Sequence, residues 1–96
     1  MIIVSVRHRG LGRLIEDGNP QSIDPVLRVR VQTVLNALAQ SENIAEFADR
    51  SPPGWRVHRL TGNRRNEWSV SISGNWRMTF EEQGSHIYRL NLEDYH

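Results

Sequence analysis

The chain predicts an α+β fold: two N-terminal helices packed on one face of a mainly antiparallel sheet, with a short N-terminal strand. Three observations carry this. Apolar residues recur at helical spacing up to Gln40, the spacing changes to every second residue from Trp55 onward, and the segment between is acidic and proline-rich. At 96 residues the chain is long enough for one core, and a single domain over 1–96 is expected.

Residues 2–7 are rich in β-branched types and suit the first strand. Leu11, Leu14 and Ile15 share one helical face, and Gly18-Asn19-Pro20 ends that helix. Asp24 is placed to cap the second helix, Pro25 fits its first position, and Leu27, Val31, Val34, Leu35 and Leu38 form its apolar stripe to about Gln40. Residues 41–54, ending in Ser51-Pro52-Pro53-Gly54, read as a connecting loop with room for one helical turn near Ile44 to Phe47. Beyond it Trp55, Val57 and Arg59 alternate with Arg56, His58 and Leu60. Trp68, Val70 and Ile72 alternate with serines, and Trp76, Met78 and Phe80 alternate with Arg77, Thr79 and Glu81. Gly74-Asn75 and Gln83-Gly84 suit hairpin turns, and a last strand covers about His86 to Asp94. The tryptophans fall on the apolar side of this alternation and read as core. The other side, carrying Arg56, His58, Ser69, Ser71, Arg77 and Thr79, is expected to stay open.

Hydrophobic content of 38% and charge of 24% are ordinary for a globular domain. The absence of cysteine removes disulfides, thiolate metal sites and thiol nucleophiles. The apolar start is too short for a signal peptide and no stretch could span a membrane, so a cytoplasmic protein is expected. A net charge of +1 hides segregation. Residues 50–77 hold six arginines against Glu67 alone, residues 1–13 hold three arginines and no acid, and residues 41–49 hold three acids and no base. A basic patch of this kind suits a polyanion. Every basic residue is arginine, which binds phosphate but is a poor acid or base. Proton transfer therefore falls to His, Asp, Glu or Tyr.

No phosphate-binding glycine loop and no nucleophile elbow is present. The end of the chain, Glu93-Asp94-Tyr95-His96, reads either as a frayed terminus or as a cluster of reactive groups. Asp94 and His96 stand two apart on a strand, and His58 could join them at a metal, but the spacing matches no metal motif, so neither metal nor cofactor is expected. The plain alternative for Arg77 is an ion pair with Glu81 on the same strand face.

Five blocks carry a resemblance. They are Pro53-Gly54-Trp55-Arg56-Val57-His58, Leu60-Thr61-Gly62-Asn63-Arg64, Trp68-Ser69-Val70-Ser71-Ile72, Gly74-Asn75-Trp76-Arg77-Met78-Thr79-Phe80 and Glu93-Asp94-Tyr95-His96. In them the chain resembles the HigB toxins of the RelE superfamily. The resemblance implies two helices against a curved sheet, and a metal-independent endoribonuclease that cleaves mRNA on the ribosome through the RNA's own 2′-hydroxyl. It implies that His58, Arg77, Asp94, Tyr95 and His96 line the active site. It also implies a HigA-like helix-turn-helix antitoxin as partner, with operator DNA reached only through that antitoxin. Thr61 departs from the pattern, since HigB proteins commonly have lysine there; Arg59, Arg64 or Arg65 could supply the missing charge.

The residues alone agree with that chemistry. Cleavage by a 2′-hydroxyl needs a base, an acid and a cation on the phosphate. His58 and His96 are the candidates for proton transfer, with Asp94 as an alternative base or as the group orienting His96. Arg77 is the candidate for the phosphate, Tyr95 for stacking or orienting, and Arg56, Arg59, Thr61, Arg64 and Arg65 for further RNA contact. The rival expectation is a module of the same fold that binds RNA, the ribosome or the antitoxin without cleaving, acting as a co-repressor.

Overall fold

A computed structural model describes residues 1–95. The elements run β1 (Ile2–Ile3), α1 (Arg9–Asp17), α2 (Pro25–Gln40), α3 (Ile44–Arg50), β2 (His58–Arg59), β3 (Glu67–Ser73), β4 (Trp76–Gln83) and β5 (His86–Asp94). Three helices and a five-stranded mixed sheet confirm the α+β class.

Each helix begins where a polar side chain caps it. His8 Nδ1 accepts from the Leu11 amide at 3.2 Å to start α1, and Gly18, at φ 69°, closes that helix in the left-handed conformation. Asp24 Oδ1 accepts from the Val26 amide at 3.0 Å and Pro25 takes the first turn of α2. The far end of α2 is held by Ser41, whose hydroxyl donates to Ala37 O at 2.7 Å. The Met1 ammonium also donates to the carbonyls of Leu38, Ala39 and Ser41, as suits the negative end of a helix.

Helix α3 lies in the acidic segment, where a loop with at most one turn is expected. Asn43 Oδ1 accepts from the Glu46 amide at 2.8 Å, and Phe47 buries itself against Trp55 and Phe80, with ring centroids 6.2 and 6.3 Å away. One buried aromatic with a good cap lengthens a turn into a helix.

The sheet order is β1-β5-β4-β3-β2, antiparallel except for β1, which runs parallel to β5. β1 is shorter than residues 2–7, but the rest of that segment stays beside β5 through a bridge from Val6 to Leu90 and backbone hydrogen bonds from Val4 N to Ile87 O and from Arg7 N to Leu90 O, each 2.7 Å. The expected strand from Trp55 shrinks to two residues. Pro53–Trp55 instead form a 3-10 turn, closed by Arg56 at φ 49°. Pro53 and Gly54 favour that turn over extended chain. Ser73 pairs with Trp76, so Gly74-Asn75 form a two-residue hairpin loop. The second hairpin turns one residue later than the sequence suggests, through Gly84-Ser85, both at positive φ.

One core cluster joins the elements. Leu11, the α2 stripe and Phe47 meet Trp55, Val70, Ile72, Met78, Phe80, Ile87, Leu90 and Leu92, with Trp68 and Trp76 packed at its margin. Trp55 is core, and Trp68 and Trp76 are half-buried against it on the apolar side that the alternation predicts.

Candidate active site

The polar face of the sheet is set by register. His58 pairs with Ser69, Ser69 with Thr79 and Thr79 with Asn91, while Ser71 pairs with Arg77 and Arg77 with Glu93. Paired residues in an antiparallel ladder point to the same side, so His58, Ser69, Arg77, Thr79 and Glu93 share one face. The face is less open than expected. Ser69 and Thr79 are 0% and 1% exposed. Ser69 Oγ lies 3.4 Å from Arg77 Nη1, and the Thr79 hydroxyl donates to Glu93 Oε2 at 2.6 Å. The longer side chains fold down over the hydroxyls.

Arg77 stands at the centre of this face. Its guanidinium carbon lies 5.0 Å from the centroid of the Tyr95 ring. Its Nε is buried and, among the described residues, has no hydrogen-bond partner. A buried guanidinium N–H without an acceptor is costly unless something else completes it. Glu81, the plain alternative as its acceptor, pairs instead with Arg89 at 3.3 Å. Tyr95 is held at the backbone, where its amide donates to Asn75 O at 2.7 Å, so the chain is anchored to the β3–β4 turn up to this residue.

A cavity of about 280 Å³ opens beside this pair, lined by His58, Arg59, Leu60, Thr61, Arg64 and Tyr95. His58 is exposed, and its Nδ1 lies 2.6 Å from Arg56 O. A carbonyl can only accept, so Nδ1 carries the proton and the Nε2 lone pair is left for other chemistry. The left-handed turn at Arg56 aims that carbonyl back at the ring.

The structure sorts the remaining expected site residues. Thr61 lies in the cavity wall, and Arg56 and Arg65 are exposed. Arg59 pairs with Trp68, and its guanidinium sits 5.7 Å from that ring, turned from the face of His58 although the residue still borders the cavity. Asp94 pairs with Trp76, which puts it on the face opposite Glu93 and Arg77. His96 lies outside the described residues.

Arg64 is the main departure. Expected on phosphate, it spends its guanidinium on two carboxylates. Nε and Nη2 donate to Glu67 at 2.8 Å each, and Nη1 and Nη2 donate to Glu93 at 2.9 and 2.6 Å. Glu67 and Glu93 were not among the expected residues. The Arg64–Glu67 spacing of three hints at the first contact; the second joins residues 29 apart and leaves no local trace. Arg64 holds the Glu93 carboxyl below its ordinary range against an opposing burial effect, with Thr79 adding to the shift. The carboxylates in turn hold Arg64 firmly protonated.

Among the described residues no group of three metal-ligating side chains converges, and no helix is long and apolar enough to cross a membrane.

Two comparisons with known proteins bear on this arrangement. A family model described as the RelE-like toxin of the type II toxin–antitoxin system HigB matches residues 4–96. The chain is also similar to a protein of Proteus vulgaris named Endoribonuclease HigB, with 33% identity over 95 residues that cover 99% of this chain and 100% of that protein. The chain therefore belongs to the family of HigB-like toxins, RelE-like members of type II toxin–antitoxin systems.

Proposed function

We propose that this toxin is an endoribonuclease that cleaves mRNA on the ribosome, in the cytoplasm, by attack of the RNA 2′-hydroxyl on the adjacent phosphate. The observation that carries the reading is Arg77, whose buried Nε–H lacks an acceptor among the described residues and whose guanidinium lies against Tyr95, beside the cavity of His58 and Thr61. The name of the Proteus vulgaris relative, Endoribonuclease HigB, supports the endoribonuclease activity.

Arg77 donates to the non-bridging phosphate oxygens and stabilises the charge that builds on them. His58, with Nδ1–H committed to Arg56 O, presents Nε2 as the base that takes the 2′-hydroxyl proton. The 2′-oxygen bonds to phosphorus, the bond to the 5′-oxygen breaks, and a second group returns a proton to that leaving oxygen. His96 is assigned this second role, with Asp94 orienting it rather than serving as the base, since Asp94 stands on the face opposite Arg77. The products are a 2′,3′-cyclic phosphate and a 5′-hydroxyl. Because the substrate brings its own nucleophile, positioning supplies much of the rate and no metal is needed. Tyr95 stacks on a base next to the scissile phosphate, and Arg56, Arg65 and Thr61 extend the RNA contact. Type II membership implies an antitoxin; we assign it as a HigA-like helix-turn-helix protein, through which operator DNA is reached.

Expression of the chain alone in a bacterium, with mapping of transcript 5′ ends, tests this. Expected are growth arrest and new 5′-hydroxyl ends within codons, both abolished by Arg77→Ala and strongly reduced by His58→Ala and His96→Ala. Cleavage on purified ribosomes should persist in excess EDTA. Normal growth with a folded, intact protein would leave a binding module instead, and loss of cleavage on chelation, restored by a divalent ion, would overturn the metal-free route.

A further inference from the structure

Glu93 stands directly opposite Arg77 across β4 and β5. Side chains so placed have Cβ atoms roughly 5 Å apart, well within reach of an ion pair. Yet none of the ion pairs among the described residues joins Arg77 to Glu93. Glu93 is drawn aside. Arg64 donates to both its oxygens, at 2.9 and 2.6 Å, and the Thr79 hydroxyl donates to Oε2 at 2.6 Å. Arg64 is itself braced on its other side by two 2.8 Å bonds to Glu67. What remains for Arg77 among the described residues is a long contact to Ser69, the Tyr95 ring, and a buried Nε–H without an acceptor.

We infer that Arg64 is a positioning residue: it withholds Glu93 from Arg77, so that the Arg77 guanidinium is left without a carboxylate partner among the described residues and its charge is available to a phosphate. The inference rests on the reading of Arg77 as the phosphate-binding group. It also explains why an arginine beside the cavity spends its guanidinium on two acids. A guanidinium can fork to two carboxylates at once, where an ammonium makes point contacts. Without Arg64, Glu93 is an anion beside an unsatisfied cation and takes the position that the substrate phosphate needs.

The test is titration of the isotopically labelled protein with inorganic phosphate, following the Arg77 Nε–Hε resonance, together with thermal unfolding of each variant. Wild type should respond. Arg64→Gln should weaken phosphate binding by on the order of ten-fold or more, the effect of losing charge-assisted bonds to a competitor. Arg64→Gln combined with Glu93→Gln should recover binding to within about two-fold of wild type, because no carboxylate is left to capture Arg77. Transcript cleavage should follow the same order. A merely structural role predicts instead that the double variant stays as weak as the single one, and that result overturns the inference. Should Arg64→Gln fail to fold, Arg64→Lys carries the same test: weaker binding that Glu93→Gln recovers supports the inference, and unchanged binding sinks it. A wild type that ignores phosphate removes the phosphate-grip reading together with this inference. A responsive wild type with an equally responsive Arg64→Gln removes this inference alone.

Discussion

Arg77 and His58 illustrate what a single side chain can and cannot do alone. Arg77→Lys keeps the charge but loses the planar fork and the stacking on Tyr95. Its cleavage rate is expected to fall by about two orders of magnitude, as for loss of an oriented charge-stabilising donor, while the melting temperature stays near wild type. His58→Ala should lower cleavage by roughly 10²–10⁴-fold, the usual worth of a positioned proton-transfer group. Thr61 lines the same cavity, so Thr61→Lys should preserve or raise the rate of cleavage on ribosomes. A folded but inactive Thr61→Lys protein would show that the position does not face the phosphate. His58 and Arg77 stand out in the sequence by type and alternation. The tautomer of His58 does not, because it depends on the carbonyl of Arg56 in a left-handed turn that breaks the alternation.

Among the elements, α1 offers a comparison of two glycines. A Cβ on Gly10 would lie 2.8 Å from Ser22 O and 2.9 Å from His8 Cε1, whereas one on Gly12 would meet nothing within 4 Å. Gly10→Ala should therefore destabilise the protein by about 1–3 kcal/mol through overpacking. Gly12→Ala should stabilise it by about 0.4–1 kcal/mol through helix propensity. Urea denaturation of the two variants checks both signs. Helix α2 was readable end to end because its cap, its first-turn proline and its stripe are all local. Helix α3 was legible only as a turn near Ile44 to Phe47, since its length depends on Phe47 finding Trp55 and Phe80. The strand expected from Trp55 failed for the converse reason: its alternation was real, but Pro53 and Gly54 favoured a 3-10 turn.

For the molecule as a whole, two groups among the described residues contribute to the response to acid. Burial lowers the pKa of His8 below 6.5, and its Nδ1 must stay unprotonated to cap α1. The unfolded chain therefore takes up that proton first. The contribution of His8 is complete above about pH 6.5 and is lost as pH falls from there through the folded-state value. Glu93 is held below 4.5 by Arg64, so its contribution is present above that pH and disappears as pH falls further. Stability should thus decline in two stages on acidification. His8→Asn, which keeps a capping oxygen, should flatten the first stage and leave the second. Glu93→Gln should do the reverse. Equal slopes for His8→Asn and wild type between pH 7 and 5 would remove His8 from the account.

The fold class, α2, the hairpin at Gly74-Asn75, the apolar-side packing of Trp68 and Trp76 and the identity of His58 and Arg77 as polar-face residues were all legible in the order of residues. Each rests on periodicity, a cap or a turn, and these are written within a few positions of one another. Register and pairing over distance were not. The union of Arg64 with Glu93, the burial of Ser69 and Thr79, the turning of Arg59 onto Trp68 and the placing of Asp94 on the far face all depend on which strand residues stand opposite each other. That alignment is selected by how the whole apolar face packs against the helices, and no local segment encodes it.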